Sequence, residues 1–317
     1  MLAGLLAGCG GGGGPTAPPT PPPVPGTPVT AIVFYDENAN GIMEPGDHAV
    51  PDVDVVIAGK TGRSALGSGA ATVVNVPAGS QEVTLRAESV PPFFRAGAPP
   101  TVLVPADAPV RIGLTLPIGN NRPDVYVAFG DSITRGEGVA PSQSYPSRLQ
   151  ARLIAHFGDA FVNNRGADGT NSFEAVERFR RNVPDNQPAY VLILYGTNDW
   201  NDPPCQDITP QCQTVPNLRT IVRSVRSGGS LPFLATIIPV NPTLSPQGRN
   251  DWVDATNVQL KAMAAAEGAF VVDLNQAFKN QPNLPAMYSD HIHPNAAGYD
   301  LIAQGFFEAI AHGRAVP

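Results

Sequence analysis

Asp124-Val-Tyr-Val-Ala-Phe129 runs straight into Gly130-Asp-Ser-Ile-Thr134. The first stretch is an apolar run of strand length, and a serine follows almost at once. Near-continuous apolar runs mark strands buried on both faces, as in parallel sheets. Four more candidates lie downstream: Phe161-Val-Asn-Asn164, Tyr190-Val-Leu-Ile-Leu-Tyr195, Leu231-Pro-Phe-Leu-Ala-Thr-Ile-Ile238 and Ala269-Phe-Val-Val-Asp273. Helical patterns separate them at Ser144 to Phe157, Ser172 to Asn182, Thr214 to Gly228, 249–267 and Asn295 to Ala311. In 249–267, Val253, Thr256, Leu260 and Met263 fall at helical spacing, and Gly268 is a good stop. Strands alternating with helices predict an α/β fold over 122–317, a doubly wound, flavodoxin-like, five-stranded parallel sheet between helical layers. Such sheets bind ligands at the carboxyl ends of their strands. Ser132, Gly166 and Asn198 all fall there.

Two further stretches supply chemistry: Tyr195-Gly-Thr-Asn-Asp199 and Tyr288-Ser-Asp-His-Ile-His-Pro294. A serine hydroxyl is a weak nucleophile at neutral pH and needs an adjacent base. Imidazole titrates near working pH, and a carboxylate on its far nitrogen fixes the tautomer. Asp290 and His293 are three residues apart, so one tight turn can deliver both. Acyl transfer also needs preorganised donors for the developing oxyanion. Asn198 offers a side-chain N–H, and Asn164-Arg-Gly166 offers a small residue whose backbone N–H can come close. Each motif alone has a plainer reading: a turn, a loop after a strand, a helix cap. Their conjunction in this order favours catalysis. His291 reads as structural, and His48, His156 and His312, with no partner motif, read as solvated or core residues. Arg178, Arg180 and Arg181 read as a solvated helix face. The serine is not in a Gly-x-Ser-x-Gly elbow, which argues against an α/β-hydrolase.

Gly130-Asp-Ser-Ile-Thr134, Gly166, Gly196-Thr-Asn-Asp199 and Asp290-His-Ile-His293 together resemble the four blocks of the SGNH/GDSL hydrolase superfamily, over roughly residues 123–313. The resemblance implies a Ser132 nucleophile, a His293 base and an Asp290 orienter. It also implies an oxyanion hole from the N–H groups of Ser132 and Gly166 with the Asn198 side chain.

Upstream, residues 29–118 read as short strands separated by Gly- and Pro-rich turns, a small all-β, Ig-like sandwich. Asp36-Glu-Asn-Ala-Asn-Gly-Ile-Met-Glu-Pro-Gly-Asp47 places oxygen ligands at loop positions 1, 3, 5, 9 and 12, and glycine at 6. That is Ca²⁺-loop spacing, although position 12 is Asp and no amphipathic helices flank it. The loop, with Val74-Asn-Val-Pro-Ala-Gly79 before a strand, resembles the B-type repeat domains of bacterial surface adhesins. The resemblance implies a structural Ca²⁺ held by Asp36, Asn38, Asn40, Ile42 and Asp47; a metal-free Asn/Gly turn is the alternative.

Leu6-Ala-Gly-Cys9, ending the 1–9 segment, resembles a bacterial lipobox, which implies a lipid on Cys9. A chance apolar start is the alternative. Residues 10–28 are Gly-rich and then Pro-rich, a linker suited to a tether. Acyl chains on Cys9 would hold the protein at a membrane surface. That places it in the bacterial cell envelope, periplasmic or at the cell surface, or secreted. Cys205 and Cys212 sit in a Pro-rich insertion, Trp200 to Pro216, just after the Asn198 motif, and a disulfide is expected, consistent with export. A net charge of −7 gives no polyanion-binding surface, so nucleic acid is not an expected partner. The function expected is an exported serine esterase acting on short- to medium-chain acyl esters or O-acetyl groups of small molecules or glycans. It needs no cofactor for the chemistry and is expected to be a monomer. The competing reading is a surface-binding, adhesin-like lipoprotein whose hydrolase fold is a scaffold.

Overall fold

The computed structural model describes residues 26–206 and 212–315. Cys9, the lipobox and residues 10–25 of the linker lie outside the described residues. Nine strands come first: β1 (Thr27–Tyr35), β2 (His48–Ala49), β3 (Asp54–Ile57), β4 (Lys60–Arg63), β5 (Ala70–Val76), β6 (Gly79–Leu85), β7 (Arg95–Ala96), β8 (Thr101–Val104) and β9 (Val110–Thr115). One sheet has the order β2-β1-β9-β7 with β5 also on β1; the other runs β4-β3-β6-β8. Along β1, Val29, Ala31 and Val33 point inward and share a core with Val55, Ile57, Val83 and Val104 of the second sheet. Alternate burial on facing sheets makes a sandwich. The β4 strand was not legible because Lys-Thr-Gly-Arg buries only its glycine.

The second half holds five strands: β10 (Arg122–Gly130), β11 (Phe161–Gly166), β12 (Pro188–Leu194), β13 (Leu231–Ala235) and β14 (Phe270–Val272). All pair in parallel, in the order β11-β10-β12-β13-β14. This is the doubly wound, flavodoxin-like order, with the central switch at β10. The helices are α1 (Ser132–Arg135), α2 (Tyr145–Phe157), α3 (Ser172–Asn182), α4 (Pro203–Gln206), α5 (Thr214–Ser227), α6 (Gln247–Glu267), α7 (Leu274–Lys279) and α8 (Ala296–His312).

Strand β10 shows why the sequence folds this way. Its Tyr126 and Ala128 enter one core with Leu149 and Leu153 of α2 and Phe306 of α8. Its Val127 and Phe129 enter the other with Phe179 of α3, Leu218 of α5 and Trp252 of α6. Tyr126 also stacks on Tyr190 of β12, with ring centroids 4.5 Å apart. Each buried aromatic or aliphatic side chain is worth roughly 1.5–3 kcal/mol relative to exposure. A strand apolar on both faces is thus held at the sheet centre, and Ser132 sits immediately beyond its carboxyl end. The two halves touch: Phe93 meets Phe233 edge-on at 5.6 Å, and Asn121 Nδ2 donates to the Gly228 carbonyl at 2.8 Å.

Candidate active site

Ser132 opens α1. Asp131 caps this short helix, its carboxylate accepting the Ile133 N–H at 2.9 Å. First-turn N–H groups have no partner inside a helix, and the Ser132 N–H has none among the described residues. The second Asp131 carboxylate oxygen is buried without a partner. Burial, with the Asp199 charge adding to it against the Ile133 N–H, pushes the Asp131 carboxyl up to about 7.

His293 and Asp290 come from the loop before α8. Ser132 Oγ lies 2.9 Å from His293 Nε2, and His293 Nδ1 lies 2.7 Å from Asp290 Oδ2. With the Nδ1–H donated to the carboxylate, Nε2 is left to accept the serine proton. The other Asp290 oxygen accepts the backbone N–H of Ile292 at 2.8 Å and of His293 at 2.7 Å. Burial works upward on this carboxyl. The backbone and side-chain bonds from His293 and the Ile292 N–H outweigh it and hold the pKa at about 2. The loop is braced: Ser289 N–H donates to the His293 carbonyl at 2.9 Å, Asn241 N–H to the His291 carbonyl at 3.0 Å, and the Tyr288 hydroxyl to the Pro239 carbonyl. His291 keeps its half-exposed ring at the edge of the site, its Nδ1 3.9 Å from Asp290 Oδ1, and contributes its carbonyl to this bracing.

Asn198 lies in a turn after β12, where Gly196 takes φ +121° and an added Cβ would come within 2.5 Å of Ile237. Asn198 Nδ2 donates to the Thr170 carbonyl at 3.0 Å. A carboxamide has two N–H donors, so one remains. The neighbouring Asp199 carboxylate accepts from Ser172 N–H at 3.0 Å, from the Ser172 hydroxyl and from Thr214 Oγ1 at 2.8 Å. It thereby pins the turn to the starts of α3 and α5. The Cys205–Cys212 disulfide lies beside the same Thr214, whose hydroxyl is 3.4 Å from Cys212 Sγ.

Gly166 departs from the sequence reading. Its N–H donates to Asn164 Oδ1 at 2.9 Å and is not free for an oxyanion. Its lack of a side chain serves packing instead, since a Cβ there would lie 2.1 Å from the Arg135 nitrogen of α1. Three positions on, the Gly169 N–H has no partner among the described residues, at φ +67°. It adjoins Thr170, whose carbonyl holds Asn198. The sequence reading missed it; the signal that could have found it is the Gly169-Thr-Asn-Ser172 stretch, a loop running straight into a helix start. Arg178 was also misread as solvated. Its guanidinium donates to the Gly130 carbonyl at 3.2 Å, the Arg165 carbonyl at 2.9 Å and the Tyr195 hydroxyl. It knits together the carboxyl ends of β10, β11 and β12.

The loop from Asp36 to Asp47 is closed by its own amides. Asp36 accepts from Asn40 N–H at 3.2 Å and Gly41 N–H at 2.8 Å, Asn38 Oδ1 from Asn40 N–H at 3.0 Å, and Asn40 Oδ1 from Ile42 N–H at 2.7 Å. Asp47 accepts from Glu44 N–H at 2.8 Å. Gly41, at the sixth position, takes φ +76°. Each carboxylate keeps acceptor capacity beyond these bonds, and an oxygen-only donor set suits Ca²⁺. Negative charge gathers here: burial, then the charges of Glu37, Asp36 and Asp47, push the Tyr35 hydroxyl up to about 12.

A family model described as the GDSL-like lipase/acylhydrolase family matches residues 128–301, more than half of the chain. The chain belongs to this family of carboxylic ester hydrolases. It is 34% identical over 123 residues to the uncharacterized lipoprotein YqeF of Bacillus subtilis, across 36% of this chain and 48% of that protein. The chain thus matches about half of YqeF. Thioesterase 1/protease 1/lysophospholipase L1 of Escherichia coli K12 is 27% identical over 183 residues, across 57% of this chain and 80% of that protein. The crystal structure of the lipase/acylhydrolase from Enterococcus faecalis superposes with a TM-score of 0.51 at 24% identity, covering 59% of this chain and 95% of that one. That likeness is one of fold.

Proposed function

We propose that this chain is a serine esterase in which Ser132 attacks the acyl carbonyl, His293 takes its proton and Asp290 holds the imidazole. The observation that carries the reading is the continuous relay of 2.9 Å from Ser132 to His293 and 2.7 Å from His293 to Asp290. Collapse of the tetrahedral intermediate releases the alcohol, protonated by His293. Water, activated by the same histidine, then cleaves the acyl-enzyme. The Ser132 N–H, the free N–H of Asn198 and the Gly169 N–H are the donors assigned to the oxyanion, with Gly169 taking the role first read for Gly166. Asp199, Thr214 and Arg178 position these donors without touching substrate.

The substrate class assigned is short- to medium-chain acyl esters, including O-acetyl groups on small molecules or glycans. The naming of YqeF as a lipoprotein and the Leu6-Ala-Gly-Cys9 stretch support export with a lipid on Cys9. No helix among the described residues is long and apolar enough to cross a membrane. Anchoring is assigned to the acyl chains on Cys9, and Cys9→Ala should release the protein from the membrane fraction. Bound Ca²⁺ in the Asp36–Asp47 loop would brace the sandwich; a Tm unmoved by EGTA would remove that assignment.

The test is hydrolysis of p-nitrophenyl esters from acetate to palmitate. Wild type should favour the shorter chains, and Ser132→Ala should lose at least ~10³-fold in kcat/KM. Equal rates for the two proteins would end the serine assignment. No turnover of any ester by wild type would favour a binding role for the whole chain.

A further inference from the structure

Helices α2 and α8 lie side by side and share a polar ladder. Arg148 Nη1 and Arg152 Nη2 donate to Asp300 Oδ1 at 2.6 and 3.0 Å, and Arg152 Nε to Gln304 Oε1 at 3.1 Å. The ladder ends on His156, one four-residue step beyond Arg152, and on His312, two such steps beyond Gln304, with ring centroids 5.4 Å apart. Asp52, from the loop between β2 and β3 of the sandwich, reaches the same point. One ligand atom from each of these three residues lies within 4.8 Å of the other two.

Two features of this cluster call for a cation. His156 is nine-tenths buried, and its Nε2 has no hydrogen-bond partner. His312 Nδ1 lies 2.8 Å from Glu308 Oε2, which fixes its proton on that side. Its Nε2 lone pair then faces the Asp52 Oδ2 lone pair at 3.3 Å. Two acceptors so placed repel unless a proton or a metal lies between them. A carboxylate behind a ligating imidazole, as Glu308 stands here, is the usual outer partner of a metal-bound histidine.

We propose that Asp52, His156 and His312 bind a Zn²⁺ ion, clipping the sandwich to the two helices. Two imidazoles and a carboxylate are a zinc donor set, and neighbouring ligand atoms around tetrahedral zinc lie about 3.4 Å apart, close to the His312–Asp52 separation. The remaining ligand atom, within 4.8 Å of the other two, has to close by up to roughly 1.4 Å to reach that spacing. The other Asp52 oxygen is already engaged by Arg63 at 3.0 Å, leaving Oδ2 for the metal. A groove lined by Asp52, Arg63, Arg86, His312 and Arg314 runs along the Asp52 and His312 side of the cluster.

The full chain, stripped with chelator, is titrated with Zn²⁺ by calorimetry and with Co²⁺ by visible absorption. The expected result is one tight equivalent, the intense bands of four-coordinate Co²⁺, and a raised Tm in both metals. Asp52→Asn and His156→Gln, checked for folding by near-UV circular dichroism, should each lose at least ~30-fold in affinity and the Co²⁺ bands. Glu308→Gln should lose on the order of 10–100-fold. Asp52 is half-exposed, so that variant tests the site even if the histidine variant does not fold. Absence of binding by wild type would overturn the proposal and make the cluster a plain hydrogen-bonded joint. Undiminished binding in Asp52→Asn would overturn it by placing the ion elsewhere, the Asp36–Asp47 loop included.

Discussion

Two histidine–carboxylate pairs stand at the two ends of α8. His293 with Asp290 at 2.7 Å precedes its first turn; His312 with Glu308 at 2.8 Å closes its last. The helix has 17 residues, so they are about 25 Å apart. The pairing is nearly the same, and what differs is the far nitrogen. His293 Nε2 meets the hydroxyl of Ser132, a group that can give up a proton. His312 Nε2 meets a carboxylate oxygen and shares its surroundings with a second imidazole whose Nε2 has no hydrogen-bond partner. A carboxylate behind a histidine sets the tautomer in both places. The group in front decides between proton transfer and ligation.

The sharpest way to break this comparison is to remove each histidine. His293→Ala should lower kcat/KM by ~10³-fold or more, whereas His312→Asn, assayed on the same ester, should cost less than about 5-fold. Comparable losses would mean that the distant pair acts on catalysis and that the two roles are not separate. Next in size is Asn198→Ala, expected to cut kcat by ~10²–10³ with little change in KM, as for loss of one oxyanion donor. A rise in KM alone would assign Asn198 to ground-state binding.

A third test concerns the buried carboxyl beside the nucleophile. Asp131 titrates at about 7 in the folded chain against 3.8 for the free group. The folded state therefore holds the extra proton between those values, and stability falls as pH rises from about 4 to about 7. The full swing is roughly 4 kcal/mol at most. Asp131→Asn should flatten Tm over that window; parallel curves for variant and wild type would show the group ionising freely. The smallest effect is expected for Cys205→Ser with Cys212→Ser. That disulfide abuts Thr214 and, through it, Asp199, so its loss should change the ratio of acetate to longer-chain ester turnover by a few-fold. An unchanged ratio would confine it to stability.

The parallel sheet was readable because β10 and β12 are apolar on both faces, and helices such as Ser172–Asn182 carry their own caps. Helix α1 was not readable: four residues hold no period, and only the Asp131 cap marks it. The relay of Ser132, Asp290 and His293 was legible from motif chemistry. The glycine proposed for the oxyanion was less so, because two glycines, Gly166 and Gly169, stand three apart and only backbone hydrogen bonding separates a packing role from a free donor. The His156–His312–Asp52 cluster was missed for a different reason. Its members come from three distant segments, and the one local trace is the run Asp300, Gln304, Glu308, His312 along α8, spaced by four. Nothing in the sequence says that Arg148, Arg152 and His156 stand opposite it.

The central claim is that His293 and Asp290 make Ser132 a nucleophile, and a fluorophosphonate probe reads this directly. Wild type should carry one adduct on the peptide containing Ser132, found by mass spectrometry after digestion, and Asp290→Ala should label at least ~10²-fold more slowly. No adduct, or an adduct on a different serine, would contradict the account.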